Sequence, residues 1–300
     1  MSRFPHSTCI ISLCAAILAL IACASPAPQL APTALPPPET LRLALASSDL
    51  AVGGNRVVFG VIDTAEGPVR DAAVQVSTFF LTPDGGQEGP VEVVDAVFRA
   101  WPVTPRGVFT TRLNFDRAGE WGIGAVITDA GGDERTATAR VLVNDASATP
   151  ALGTAAPRSI SKTLADAGDF ERLTTDFEPD ADLYAMTIAD ALDTGKPLMV
   201  VFSTPAYCQT ATCGPQLDVI KDVKAEYADT MNFIHVEVYD NPHEIEGDLT
   251  NAVISPTVEE WGLPSEPWTF IIDGDGVIRA KFEAFTTREE LDEALALVIN

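Results

Sequence analysis

The 300-residue chain carries 19 Lys+Arg against 43 Asp+Glu, a formal net charge of −24 at pH 7. So few cations argue against binding nucleic acid, whose phosphates must be neutralised, and equally against polybasic docking on anionic lipid. The acidity itself is that of a solubilising surface, and the length is enough for about two domains.

Taken in order, the chain begins with Arg3 and an apolar run from Cys9 to Ala22. That run suits the apolar core of a signal peptide and is short for a membrane span. It ends in Leu20-Ile21-Ala22-Cys23, which resembles a bacterial lipobox. The resemblance implies a lipoprotein signal over residues 1–22 and Cys23 as the lipidated mature N-terminus. A plain secretory signal is the alternative, and either one exports the protein. Residues 23–40, rich in Pro, Ala and Thr with Pro36-Pro37-Pro38, read as a tether of polyproline character.

Residues 41–144 show short alternating runs: Leu41–Ala46, Arg56–Ile62, Ala73–Leu81, Val91–Arg99, Gly107–Asn114, Glu120–Thr128 and Glu134–Val143. Gly53-Gly54, Pro83-Asp84-Gly85-Gly86 and Gly131-Gly132-Asp133 supply the turns between them. Seven strands at this spacing predict an all-β sandwich. Their order resembles the small Ig-like domains of exported bacterial proteins, some of which handle copper. This segment has no His, Cys or Met, so a soft-metal site has nothing to be built from. A spacer or protein-binding module is the expectation, with Trp101 and Trp121 as packing residues.

Residues 145–158 read as a linker, and from Ser159 the pattern changes to alternating strands and helices. Leu183–Thr194 predicts a helix stopped by Gly195, and Pro197–Phe202 a short buried strand. The strand leads into Phe202-Ser-Thr-Pro-Ala-Tyr-Cys208-Gln-Thr-Ala-Thr-Cys213-Gly-Pro215, and Leu217–Tyr227 predicts an amphipathic helix beyond it. Asn232–Val238 reads as a strand. Ser255-Pro256 opens a short helix that stops at Gly262. Trp268–Ile272 and Val277–Phe282 form a hairpin across Asp273-Gly-Asp-Gly276, which lacks the distal Glu of a calcium loop and is taken as a turn. A last helix, Glu289–Ile299, follows Thr286-Thr287 with Glu289 and Glu290 at capping-box positions.

Cys208 and Cys213 carry the chemistry. Once the signal has left with Cys9 and Cys14, and Cys23 holds lipid, they are the two remaining thiols, in an oxidising compartment. One close pair suggests redox work more than a stapled scaffold. A cysteine at a helix N-terminus has its thiolate stabilised by unpaired N–H groups.

The β-α-β-α-β-β-α order, with thiols after the first strand of the core, resembles the thioredoxin fold over residues 159–300. Tyr207-Cys208 sits where that family has an aromatic residue before its nucleophilic cysteine, and Glu266-Pro267-Trp268-Thr-Phe-Ile-Ile-Asp-Gly-Asp-Gly matches its cis-proline, strand and turn segment. The resemblance implies Cys208 as nucleophile, Cys213 as resolving thiol, and Tyr207, Glu266, Pro267 and Trp268 around a substrate groove. It implies a cis Pro267, no cofactor and no metal. The implied partners are extracytoplasmic protein thiols and disulfides, with an electron partner it does not identify, at a membrane reached through Cys23. Unlike the family, this chain spaces its cysteines Cys-x4-Cys. Five residues of continuous helix rise about 7.5 Å, beyond the roughly 7 Å that a disulfide spans between Cα atoms. Cys208 must therefore lie in a loop before the helix, or the first turn must unwind. Phe202 stands where thioredoxins often bury an acid, and Glu266 is expected to place negative charge near the thiols.

Other readings stay open. Some peroxiredoxins pair Cys-x4-Cys, but Pro205 and Val201 stand where their Thr and Pro should be. Copper delivery on the same fold needs a distant His, for which His235, expected half-buried in a strand, and His243, in a loop, are the candidates. A structural disulfide in a lipid-anchored binding protein, with recognition by the sandwich, is the last.

Overall fold

Alternation of apolar and polar side chains makes the first half of the chain a sheet. The computed structural model describes residues 40–102 and 106–299. The expected signal peptide, Cys23 and the tether up to Glu39 lie outside the described residues. Eight strands form: β1 (Leu41–Leu45), β2 (Gly53–Asp63), β3 (Gly67–Pro68), β4 (Ala73–Leu81), β5 (Gln87–Ala100), β6 (Gly107–Phe115), β7 (Gly119–Thr128) and β8 (Glu134–Val143). In β7, Trp121, Ile123, Ala125 and Ile127 are buried while their neighbours are partly exposed, the period of two expected of a strand with one covered face.

The strands follow one hydrogen-bonded path, β1-β2-β6-β5-β4-β7-β8, with β3 attached to β2. Two separate sheets are the sequence expectation; the continuity comes from β5. Its residues Gln87–Ala96 pair with β4, and Val97–Ala100 cross over to pair with β6. A strand that changes sheets turns the corner of a sandwich. The path nearly closes, because Ala51 bridges Asn144 at the end of β8. Inside, Val57, Phe59, Phe109, Phe115 and Trp121 form the core. Trp121 also donates from Nε1 to the Arg117 carbonyl at 3.1 Å, which satisfies its one polar atom.

The second half contains α1 (Leu164–Ala167), α2 (Ile188–Asp193), β9 (Leu198–Ser203), α3 (Cys213–Tyr227), β10 (Asn232–Glu237), β11 (Tyr239–Asp240), β12 (Val253–Ile254), α4 (Pro256–Glu260), β13 (Trp268–Ile272), β14 (Ile278–Glu283) and α5 (Arg288–Leu295). A four-stranded sheet runs β10-β9-β13-β14; β9 and β10 are parallel, and β13 is antiparallel to β9 and β14. Every residue of β9 is buried because helices cover both faces of the sheet. Met199 and Val201 meet Leu217, Ile220 and Leu291 of α3 and α5. Leu198, Val200 and Phe202 meet Ile188 of α2 and Val258 and Trp261 near α4 on the other face.

Three helices depart from expectation, the last of them, α5, by ending at Leu295 rather than Ile299. The helix expected over Leu183–Thr194 splits into a 3-10 turn at Ala181–Tyr184 and α2. The break falls where Thr187 and Asp190 form a capping box that starts a new helix. α3 begins four residues earlier than the apolar periodicity suggests, at Cys213.

Residues 145–158, expected as a linker, are pinned along β14. Gly153 donates to Ile278 O at 2.8 Å, Ile278 to Thr154 O at 2.9 Å, and Ala156 to Gly276 O at 2.9 Å. Gly262, at φ +61°, ends α4 against this segment; a Cβ there would stand 2.5 Å from Ala148 O. Glu39–Asn300 accordingly pack as one compact unit. A seam of charges joins β2 to the β14–α5 corner. Arg56 donates to both Glu290 carboxylate oxygens (2.9 and 3.1 Å) and to the carbonyls of Glu283 (2.7 Å) and Phe285 (3.0 Å). Beside it, Asp49 accepts from Ala148 N, Thr149 N, Thr149 Oγ1 and Ser147 Oγ, and Lys281 Nζ approaches it at 3.5 Å.

Candidate functional site

β9 is an inner strand of the sheet, and the nine residues 204–212 between its end and the start of α3 place the cysteines. Cys208 lies in the loop and Cys213 is the first residue of α3; they form a disulfide with a Cα–Cα distance of 5.9 Å. The first of the two geometries left open by the spacing is the one adopted. Cys213 is fully buried and Cys208 is half-buried, so an incoming sulfur meets Cys208.

The start of α3 has an unusual cap. Its N-cap, Thr212, makes no side-chain capping bond, and its hydroxyl is 2.7 Å from that of Thr210 instead. The Cys208 sulfur fills the role, accepting from Cys213 N–H at 3.3 Å. Thr210 Oγ1 lies 3.3 Å from the same sulfur. A disulfide sulfur is a weak acceptor. On reduction the same position holds a thiolate, for which a helix N-terminus and a hydroxyl are favourable neighbours.

The remaining expected residues gather unevenly. The Glu266-Pro267 bond is cis, and Pro267 O accepts from Ala284 N at 2.9 Å. Glu266 is half-buried with the Gln209 backbone N–H of the cysteine loop facing its carboxyl, and burial pushes that carboxyl up from the ordinary value. Tyr207 packs edge-on to Tyr239 with ring centroids 6.1 Å apart. The Trp268 side chain, expected beside them, is buried and donates to Ser265 Oγ at 3.1 Å, and Trp268 itself lies in register between β9 and β14.

Beneath the loop lies a polar cluster that the sequence reading did not find. His235, expected half-buried, is fully buried on β10. Its Nδ1 is 2.6 Å from Tyr184 Oη, and its Nε2 is 2.9 Å from Ser203 Oγ and 3.1 Å from Ser203 O. Burial lowers its pKa to about 4, so it is a neutral ring with the tyrosine hydroxyl donating to it. Glu237, two residues on, pairs in register with Ser203. Its carboxyl accepts from Thr175 N–H and Oγ1 at 2.8 Å each and from Val238 N–H at 3.1 Å, while the Thr204 hydroxyl faces it without hydrogen-bond geometry. Burial raises its pKa to about 7. Thr175 Oγ1 also accepts from Ala206 N–H at 3.1 Å, which links the buried acid to the backbone two residues before Cys208. Phe202 packs on Trp261 and Phe270. The buried acid of this region, Glu237, lies instead on the neighbouring strand β10, in register with Ser203.

Both ring nitrogens of His235 are engaged within this cluster, so it is not presented to the thiols as a metal ligand. No group of three or more metal-ligating side chains occurs among the described residues. Asp273 accepts from Asp275 N–H and Val277 N–H at 3.0 and 2.9 Å and serves its turn.

No protein-family model and no curated protein matches the chain. Among solved structures, it is similar to a thioredoxin-family thiol:disulfide interchange protein from Chlorobium tepidum TLS, at 15% identity and a TM-score of 0.35 over 50% of this chain and 99% of that one. It is also similar to the PKD domain of the human VPS10 domain-containing receptor SorCS2, at 16% identity and a TM-score of 0.20 over 46% of this chain and 96% of that one.

Proposed function

We propose that the chain is a thiol–disulfide oxidoreductase in which residues 159–300 form a thioredoxin-like domain and residues 41–144 an Ig-like sandwich. Its place is the extracytoplasmic face of a membrane, held by lipid at Cys23, and its partners are protein thiols and disulfides there. One observation carries the reading: a half-buried sulfur, Cys208, sits on the N-terminus of α3 while its partner Cys213 is buried behind it.

The geometry suits a two-step exchange. A substrate thiolate attacks Cys208 Sγ; the Cys208–Cys213 bond breaks and Cys213 leaves as thiolate. A second substrate thiolate then attacks the substrate sulfur of the mixed disulfide and releases Cys208 as thiolate. The substrate has lost two electrons and formed a disulfide, and the pair has gained them. The same steps reversed reduce a substrate disulfide. Cys208 as the entry point follows from its exposure. The thiolate released on it is met by Cys213 N–H and Thr210 Oγ1.

The competing reading, a structural bridge in a binding protein, is separated by the reduction potential of the pair, measured in glutathione buffers with alkylation and mass readout. A value between roughly −270 and −120 mV is expected for a working exchange site. A value below about −300 mV, with thiols unreactive until the protein unfolds, overturns the proposal.

A further inference from the structure

The ladder between β2 and β6 ends at Phe59↔Phe109. Beyond it the two strands part: β2 continues with β1 and β3, whereas Gly107 and Val108 of β6 stay with β5. The gap is a groove of about 430 Å³. Leu45, Ile62 and Val69 line one side, and Trp101 and Val108 the other. The indole N–H of Trp101 is enclosed with no hydrogen-bond partner among the described residues. At its end the groove is closed by Thr210, Thr212 and Ala284. Thr210 is the residue whose hydroxyl touches the Cys208 sulfur, and Ala284 is bonded to Pro267 O. An apolar trough on the sandwich therefore ends one side chain, Thr210, away from the disulfide.

Charge narrows what fits. Among the described residues no carboxylate lines this groove, and Arg106 is its one charged residue, on a chain of net charge −24. Elsewhere the surface repels acidic partners and hydrates well; here an extended apolar segment is desolvated favourably.

We propose that this groove is the substrate-docking site of the exchange reaction, taking an extended apolar segment of a protein whose cysteine then lies on Cys208. The inference rests on the redox reading above and assigns the sandwich a role in it: the strand gap selects the substrate and the loop reacts with it.

The test uses the full chain with Cys213→Ser, reduced, and two eight-residue peptides with a central cysteine activated as the 2-nitro-5-thiobenzoate disulfide. One peptide is flanked by Val, Ile and Leu, the other by Ser and Gly. Cys208 thiolate attacks the peptide sulfur, the peptide–Cys208 disulfide forms, and the coloured aryl thiolate leaves. The apolar peptide should react about tenfold faster. Ile62 is 38% exposed, so Ile62→Glu is accommodated; it should bring the ratio near one, Ile62→Leu should restore it, and the rate with the small disulfide 5,5′-dithiobis(2-nitrobenzoate) should be unchanged in all. Absence of preference in the parent chain, with normal reaction toward the small disulfide, overturns the groove and leaves the redox reading standing. A preference that survives Ile62→Glu does the same. Thiols inert to every probe overturn the redox reading and this proposal with it. A dimer in sedimentation that Ile62→Glu dissolves makes a second copy the occupant, and that also overturns the proposal.

Discussion

The seam and the cluster beneath the thiol loop bury ionisable groups in opposite ways. At the seam two buried ion pairs cross, Arg56 with Glu290 and Lys281 with Asp49, beside a Glu283 carboxylate that accepts from Ser48 and Ser265. Under the loop, His235 and Glu237 have hydrogen-bond partners, but Glu237 has no cation within ion-pair distance among the described residues. Paired charges fix a geometry and hold their protonation state; hydrogen-bonded groups without a counter-charge leave protonation free to vary. The first arrangement sets the sandwich against the β14–α5 corner, and the second sits where protons must move if thiols are to react.

The largest effect should come from breaking the seam. Arg56→Ala removes four donated hydrogen bonds and leaves the buried Glu290 carboxylate only the Arg99 guanidinium, 3.9 Å away. The expected cost is about 3–5 kcal/mol, read from urea unfolding. The reaction of Cys208 with a small disulfide should be unchanged under native conditions, because nothing at the seam touches the sulfur. A loss below about 1 kcal/mol would place the seam among the weak surface pairs and remove the contrast.

The next effect tests the other half of the comparison through pH. Glu237 is raised from 4.5 to about 7 in the fold. Its contribution to stability is therefore full below about pH 4.5 and is lost as pH rises through 7. His235 is lowered from 6.5 to about 4, so its contribution is full above pH 6.5 and is lost as pH falls through 4. Each is worth on the order of 3 kcal/mol, and between pH 4.5 and 6.5 they oppose each other. Glu237→Gln should unmask His235: the variant's stability should climb with pH across that window relative to the parent chain. Urea midpoints at four pH values decide it, and parallel curves would show that Glu237 does not hold a proton in the fold.

These two regions also differ in how far they could be read in the sequence. The reactive loop is local: Cys208, Cys213 and the strand and helix around them lie within thirty residues, and periodicity with one turn of helix arithmetic left two geometries, Cys208 in a loop before the helix or an unwound first turn. Glu266-Pro267 was reached by resemblance. The alternating strands of residues 41–144 were legible for the same reason, although the partner change within β5 was not, since nothing local marks where a long strand crosses sheets. The full burial of His235 was not legible, and nothing marked Glu237, because Phe233, His235 and Glu237 alternate with Ile234 and Val236, a pattern that reads as one wet and one dry face. Both faces are in fact covered, by α3 on one side, and that coverage is a tertiary fact. Arg56 and Glu290 are 234 positions apart. Glu290 was visible as a cap of α5, and it does cap it, accepting from Thr287 N–H at 3.2 Å; its second bond, to the sandwich, had no local trace.

The smallest effect is the most direct probe of the loop. Thr210 Oγ1 is one of two groups beside the Cys208 sulfur, the other being the Cys213 backbone N–H. Thr210→Val keeps the shape and removes the hydroxyl, so the thiolate loses one hydrogen bond, worth about 1 kcal/mol. The thiolate fraction near neutral pH should fall roughly five- to tenfold, and the iodoacetamide alkylation rate of Cys208 in the reduced Cys213→Ser chain should fall with it. At a pH high enough to ionise the thiol fully, the two rates should converge, because the hydroxyl changes the population of thiolate more than its attack. Equal rates at neutral pH would mean that the helix N-terminus alone holds the thiolate, and the loop's threonines would then matter for shape only.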